Sequence, residues 1–72
     1  MKELTEKQEE ILVIIKAFIN RYGYSPSIRE LCILSDRKST ATIKTYLDIL
    51  VDKGYILYNP RKSRTIRVVE VK

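Results

Sequence analysis

The chain has 72 residues, of which 44% are hydrophobic and 32% are charged, and its formal net charge is +5. This length allows one small domain, and the composition is typical of a folded chain rather than a disordered one. The sequence has no histidine and a single cysteine, which removes His-based catalysis, the commonest zinc ligand set and an internal disulfide. We therefore expect a protein that is not an enzyme and that uses no cofactor or metal.

The longest apolar run covers residues 11–15, which is too short for a membrane span. Charged residues interrupt the N-terminal segment where a signal peptide would need an apolar core. We therefore expect a cytoplasmic setting. Cys32 lies among apolar neighbours and is expected to be a small buried thiol.

Charge is distributed unevenly along the chain. Residues 1–36 carry a net charge of −1, whereas residues 37–72 carry +6. A basic half on a small domain indicates a polyanionic partner, with nucleic acid as the first candidate. Charge alone leaves open the alternative that this half is a solvated basic surface.

The first predicted element is a helix near residues 6–22. Thr5 and Gln8 have the spacing of a capping box, and apolar residues then recur with the 3.6-residue period. Gly23 supplies the left-handed residue that commonly ends a helix.

The second predicted element is a short helix near residues 28–34. Ser27 and Glu30 form a second capping box, and the polar segment "SDRKS" ends the helix. We expect its apolar side to comprise Ile28, Leu31, Cys32 and Leu34.

The segment "KSTATIKTYLDIL", residues 38–50, fits either an alternating strand or a helix when taken alone. Its apolar positions favour the helix, because they recur at i, i+3, i+4 and i+7, namely at Ile43, Tyr46, Leu47 and Leu50. The pattern ends at Gly54, a stop like that at Gly23. We therefore predict a third helix over residues 39–53, with Ser39 as its N-cap.

A β-hairpin is predicted at the end of the chain, with strands near residues 55–58 and 65–70. These segments are rich in β-branched and aromatic residues, and the loop "NPRKSR" between them has three basic residues. Arg67 and Glu70 are expected to face solvent, and the side chains expected to face inward are Ile66, Val68 and Val71. The fold class is mainly α with a small β-hairpin, a single three-helix winged helix-turn-helix domain over residues 1–72.

In such a motif the last helix enters the major groove of DNA with its N-terminal residues at the base edges. The outward residues there, expected to read bases, are Thr40, Ala41, Thr42, Lys44 and Thr45. Their hydroxyls, the threonine methyls and the Lys44 ammonium suit base edges or phosphates. Contacts to the DNA backbone are expected from Ser27, Arg37, Lys38, Arg61, Lys62 and Arg64.

Each feature also has a simpler interpretation. The threonines fit an ordinary solvent-facing surface, and the basic hairpin tip fits a charge guard on an edge strand. Tyr46, Tyr55 and Tyr58 are expected to pack in the core rather than stack on bases. The DNA hypothesis depends on three features occurring together, namely a helix N-terminus with small residues, a basic turn before it and a basic wing after it. The alternative is a winged-helix module that binds an acidic protein.

Three segments, "LTEKQEEIL", "GYSPSIREL" and "YLDILVDKGYI", resemble the N-terminal DNA-binding domain of the LexA repressor family. The resemblance covers nearly the whole chain in order and spacing. It implies a winged helix that binds palindromic operators as a dimer and represses DNA-damage genes of the SOS response. By matching, the resemblance implies base-reading roles for the same five residues and adds Ser39 to them. The resemblance thus implies a double-stranded DNA partner for a domain that is monomeric in isolation.

The sequence departs from the family pattern in the turn before the third helix, in the base-reading face, which is not the commonest version, and in length. Asp36 and Arg37 stand where a glycine and an apolar residue are usual, and aspartate tolerates a left-handed turn. Family repressors also carry a C-terminal domain with a Ser-Lys self-cleavage dyad, to which nothing here corresponds. We expect either the DNA-binding part of a repressor or a stand-alone regulator outside the SOS response, and neither form would cleave itself.

Overall fold

Three helices followed by a two-stranded hairpin make up the structure, a computed structural model that describes residues 3–69. The elements are α1 (Glu6–Tyr22), α2 (Ile28–Leu34), α3 (Thr40–Asp52), β1 (Ile56–Leu57) and β2 (Arg67–Val68). This confirms the predicted fold class and the predicted bounds of the first two helices. No helix in the described part of the chain has the length and apolar character that crossing a membrane requires.

Helix α1 begins and ends at the predicted signals. The Gln8 N–H donates to the Thr5 hydroxyl at 3.3 Å, and the Thr5 N–H donates to Gln8 Oε1 at 3.0 Å. Gly23 follows the helix at φ +78°, and its N–H donates to the Ile19 carbonyl. The buried face of α1 consists of Ile11, Leu12, Ile15 and Phe18.

Helix α2 has the second predicted capping box, in which the Ser27 N–H donates to Glu30 Oε1 and the Glu30 N–H to the Ser27 hydroxyl. Leu31 is fully buried, but the prediction that Leu34 joins the apolar side is wrong, because Leu34 is 52% exposed. Ser35, four residues after Leu31, takes the core-facing position instead. The buried Ser35 hydroxyl has a hydrogen-bond partner, because it donates to the Leu31 carbonyl.

The turn between α2 and α3 places Asp36 in the left-handed region, at φ +57°. The Asp36 N–H donates to the Ile33 carbonyl and the Arg37 N–H to the Cys32 carbonyl, at 3.3 and 2.9 Å. Aspartate tolerates this left-handed conformation, as expected from the sequence. Cys32 is half-buried against the core rather than fully enclosed.

Helix α3 confirms the helical interpretation of the threonine-rich segment. It is one residue shorter at each end than the predicted 39–53, because Ser39 and Lys53 are its cap residues. Its fully buried residues lie on one face, at Ile43, Leu47 and Leu50. Burial of each such side chain contributes about 1.5–3 kcal/mol, which outweighs the modest helix propensity of the threonines.

Helix α3 ends in a Schellman motif. Gly54 lies at φ +85°, and its N–H donates to the Val51 carbonyl at 3.0 Å. The Tyr55 N–H donates to the Leu50 carbonyl at 2.9 Å, completing the motif. The chain is thereby redirected from α3 into β1.

The hairpin pairs Ile56 with Val68 and Leu57 with Arg67 in an antiparallel arrangement. Each strand has two residues, fewer than the predicted 55–58 and 65–70, of which residue 70 lies outside the described residues. At the tip the Asn59 N–H donates to the Thr65 side chain, whereas at the other end the Val69 N–H still donates to the Tyr55 carbonyl at 2.8 Å.

The hairpin side chains confirm the predicted orientation where the structure describes them. Ile66 is buried, Val68 is partly buried and Arg67 is exposed. The predicted orientations of Glu70 and Val71 lie outside the described residues. Ile56 and Ile66 join the core that α1, α2 and α3 enclose, so the hairpin is packed against the helices.

Candidate nucleic-acid interface

The N-terminal half of α3 presents small and basic side chains to solvent. All six residues predicted to read bases are exposed, namely Ser39, Thr40, Ala41, Thr42, Lys44 and Thr45. The burial of Ile43 and Leu47 turns this opposite face outward. The Thr45 hydroxyl donates to the Ala41 carbonyl at 3.0 Å. The Thr45 side chain can therefore contact a ligand through the lone pairs of its hydroxyl oxygen and through its methyl group.

The N-terminus of α3 differs from those of the other two helices. Ser39 is the N-cap, as predicted, but its side chain makes no cap hydrogen bond, whereas Thr5 and Ser27 each form a capping box. The first turn of α3 also has no acidic residue. Its backbone amides are therefore not met by a cap side chain, an arrangement that suits an anion such as phosphate.

The two basic residues of the turn before α3 have different surroundings. The Arg37 guanidinium lies 3.7 Å from the Glu10 carboxylate and 5.5 Å from the centroid of the Tyr46 ring. Arg37 therefore packs between α1 and α3, and only 23% of its side chain is exposed. Lys38, in contrast, is exposed.

The hairpin tip is closed by its own polar groups. The Thr65 hydroxyl donates to the carbonyls of Asn59 and Lys62, while the Asn59 N–H donates back to it at 2.9 Å. Asn59 Oδ1 accepts from the Arg61 N–H at 2.9 Å. These contacts give the loop a defined shape and leave the Arg61 and Lys62 side chains exposed.

Arg64 is bound to the body of the domain. Its Nη1 donates to Glu30 Oε1 at 2.8 Å and to the Ser25 carbonyl at 3.2 Å, and the guanidinium lies 4.9 Å from the Tyr24 ring centroid. The hydrogen bond from the Ser27 N–H, followed by that from Arg64, holds the pKa of the Glu30 carboxyl below its usual value. The start of α2 and the wing thus share one carboxylate.

A second polar contact joins the wing to α3. The Tyr58 hydroxyl donates to Asp48 Oδ1 at 2.9 Å. Burial, followed by this hydrogen bond and the negative charge of Asp48, raises the pKa of Tyr58 to about 12. Asp48, an acidic residue of α3, the helix expected to contact DNA, is thus hydrogen-bonded to the wing. Tyr46, Tyr55 and Tyr58 all pack against the core, as predicted.

A groove of about 310 Å³ lies between α2, α3 and the wing. Among the residues that line it are Ser27, Arg29, Lys44, Arg61, Lys62 and Arg64. Predicted contact residues from three distant parts of the sequence are therefore neighbours in space. A second groove lies at the α2–α3 turn, lined in part by Arg29, Arg37, Lys38 and Thr40.

Arg29 lines both grooves and is exposed, but the sequence-based prediction omits it. The local signal was its position in the first turn of α2, directly after Ser27 and Ile28. Its neighbours, Lys38 and Lys44, lie 9 and 15 positions further along the chain. Its place between them is a consequence of packing.

Within residues 3–69, no three histidine, cysteine or acidic side chains are grouped so that they could hold a metal ion. Two helices joined by a short turn, with an exposed N-terminal face on the second and a hairpin after it, define a winged helix-turn-helix domain.

Comparison with known proteins identifies the particular family. The family model described as "LexA DNA binding domain" matches residues 1–65. The chain belongs to this family.

Relatives named LexA repressor occur in several bacteria. The chain is 48% identical over 69 residues to that of Caldicellulosiruptor saccharolyticus, a match covering 96% of this chain and 34% of the relative. It is 44% identical to that of Alkaliphilus oremlandii, over 94% of this chain and 33% of the relative, and 40% identical to that of Ruminiclostridium cellulolyticum, over 94% and 32%. The chain thus spans about a third of the length of the curated relatives it matches.

Proposed function

We propose that this domain binds double-stranded DNA in a sequence-specific manner, with the N-terminal half of α3 in the major groove. The observation that supports this best is the exposed face from Ser39 to Thr45, which lies between a basic turn and a basic wing. The Lys44 ammonium suits guanine O6 and N7, and the threonine methyl groups suit the thymine methyl. Ala41 leaves room for close approach to the bases.

Contacts to the DNA backbone come from residues on either side of this face. We assign direct phosphate contacts to Ser27, Lys38, Arg61 and Lys62, and we add Arg29 because it lines both grooves. Arg37 and Arg64 lie on the same surface, but their guanidinium groups are paired within the domain. Each phosphate contact releases counterions and so makes the affinity depend on salt.

We further propose that the domain belongs to a cytoplasmic transcriptional repressor of the LexA type that acts in the SOS response. The support is that its relatives are named LexA repressor. The domain alone is a monomer that binds weakly, and two copies bind a palindromic operator because each half-site accepts one recognition helix. The second candidate is a stand-alone regulator outside the SOS response, with the same DNA-binding surface.

The deciding experiment is selection of bound duplexes from a random pool, followed by titration of the selected duplex at two salt concentrations. We expect a two-fold symmetric consensus and an affinity that falls steeply with salt. Lys62→Ala should reduce the slope of log affinity against log salt by about 0.9, the value for one lost phosphate contact. Lys16→Ala, which removes the same charge from an exposed position on α1, should leave the slope unchanged.

Failure to enrich any duplex, together with a salt-independent affinity, would contradict the proposal. Binding of an acidic protein that survives alanine substitution at Thr40, Thr42 and Lys44 would instead favour the protein-interaction module.

A further inference from the structure

Arg64 differs from the other two basic residues of the wing loop in what its side chain contacts. Arg61 and Lys62 are exposed at the tip. Arg64 instead reaches back to α2 and to the segment before it, contacting Glu30, the Ser25 carbonyl and the Tyr24 ring. A phosphate would have to compete with a carboxylate that is already 2.8 Å from the guanidinium.

The carboxylate that holds Arg64 also begins α2. Glu30 Oε1 accepts the Ser27 N–H at 2.9 Å and Arg64 Nη1 at 2.8 Å. One carboxylate oxygen therefore accepts hydrogen bonds from both groups. This connects the wing to the first turn of α2, the helix before α3. The capping box holds the Glu30 side chain in place, because the backbone N–H of Glu30 also donates to the Ser27 hydroxyl.

The backbone on either side supports the same connection. Arg64 lies at φ +56°, a left-handed conformation that non-glycine residues seldom adopt. Two residues later the Ile66 N–H donates to the Ser25 hydroxyl at 3.0 Å, in a buried hydrogen bond. The chain from residue 64 to residue 66 is therefore attached to residues 24–30 by side-chain and backbone contacts.

We propose that Arg64 is a positioning residue, which holds the wing against α2 so that Arg61 and Lys62 meet the DNA backbone while the N-terminal half of α3 lies in the major groove. Arg64 acts through Glu30 and donates to no phosphate itself. This inference rests on the proposed DNA-binding function, and it assigns Arg64 a role different from the backbone contact expected from the sequence.

The test is a set of variants that separates loss of the contact between Arg64 and Glu30 from loss of a positive charge. Arg64→Ala removes the connection and one positive charge. The double variant Arg64→Ala/Glu30→Gln also lacks the connection, but it has the net charge of the wild type. Glutamine at this position should retain the cap of α2, because Gln8 completes the equivalent capping box in α1. Lys62→Ala is the matched control for the loss of a cation from the wing.

We expect both Arg64 variants to bind the selected duplex about fivefold more weakly than the wild type, because contacts in one network are coupled. The slope of log affinity against log salt should stay unchanged in both, because Arg61 and Lys62 still reach the phosphates in the complex and the lost affinity is the cost of ordering the wing on binding. Lys62→Ala should lower it by about 0.9. Arg64→Lys, which retains the charge and one donor group, should recover part of the affinity. Recovery of wild-type affinity in the double variant, or a slope reduced by about 0.9 in Arg64→Ala, would overturn the proposal.

A measurement without DNA separates this inference from the proposed function. Amide hydrogen exchange of the free protein should be faster at Ile66 in Arg64→Ala than in the wild type, and unchanged in Lys62→Ala. Thermal unfolding establishes that each variant is folded, and the double variant Arg64→Ala/Glu30→Gln, which also lacks the connection, serves the same comparison if Arg64→Ala is not. Unchanged protection at Ile66 in a folded variant that lacks the connection would refute the positioning role even in a protein that binds DNA. A wild type that binds no duplex would refute the function alone.

Discussion

Neighbouring substitutions on α3 should have different consequences, because Ile43 lies on the buried face of the helix and Thr42, about 100° away around the axis, lies on the exposed face. Ile43 has none of its surface exposed, whereas Thr42 is exposed. Replacing a buried isoleucine by alanine costs about 2–5 kcal/mol, from lost burial and the cavity that remains. Replacing an exposed residue usually changes stability by no more than about 0.5 kcal/mol, and alanine has the higher helix propensity.

These magnitudes are large relative to the stability of the domain. At about 0.05–0.15 kcal/mol per residue, a chain of 72 residues has roughly 4–11 kcal/mol of unfolding free energy. A loss near 2.5 kcal/mol should lower the midpoint of thermal unfolding by about 10–20 °C in a domain of this size. We therefore expect Ile43→Ala to unfold far earlier than the wild type, and Thr42→Ala to unfold within a few degrees of it.

Thermal unfolding followed by circular dichroism, with duplex selection on the folded variants, checks this pair. Thr42→Ala should alter base preference, with about 1 kcal/mol or more of discrimination lost at one position if a good base contact is removed. Equal unfolding temperatures for the two variants would refute the assignment of faces. An unaltered base preference in Thr42→Ala would exclude Thr42 from the contacts.

Three further outcomes follow from the geometry. Lys44→Ala should change the base preference of the selected duplex, whereas Lys16→Ala should leave it unchanged; identical consensus sequences for both would remove Lys44 from the base contacts. Gly54→Ala should destabilise the domain by about 1–2 kcal/mol in urea unfolding, because alanine is strained in the left-handed backbone conformation. Steric clash adds nothing to this cost, since an added Cβ meets no atom within 4 Å. An unchanged midpoint would contradict this. Stability should fall as pH rises from 10 towards 12, because the pKa of Tyr58 is raised to about 12 in the fold. Below pH 10 the neutral phenol contributes its full share to the free energy of unfolding. Tyr58→Phe should reduce the loss of stability in a pH-dependent unfolding series.

Local signals in the sequence determined the helices. The capping boxes at Thr5 and Ser27 and the stops at Gly23 and Gly54 involve groups within five residues of each other, so a linear pattern contains them. The two faces of α3 follow from periodicity for the same reason. A departure came at Leu34, because a seven-residue helix has too few positions to define its buried face by pattern alone.

Tertiary structure decided which cations are available to a polyanion. In the sequence, Arg37, Arg61, Lys62 and Arg64 are equivalent members of a basic half. In the fold, Arg37 packs between α1 and α3 and Arg64 binds Glu30, a residue 34 positions earlier in the chain. Such pairs depend on how helices pack rather than on neighbouring residues. The sequence by itself therefore determined α3 and its outward face, whereas packing determined which basic side chains are paired within the domain and which are exposed on the wing.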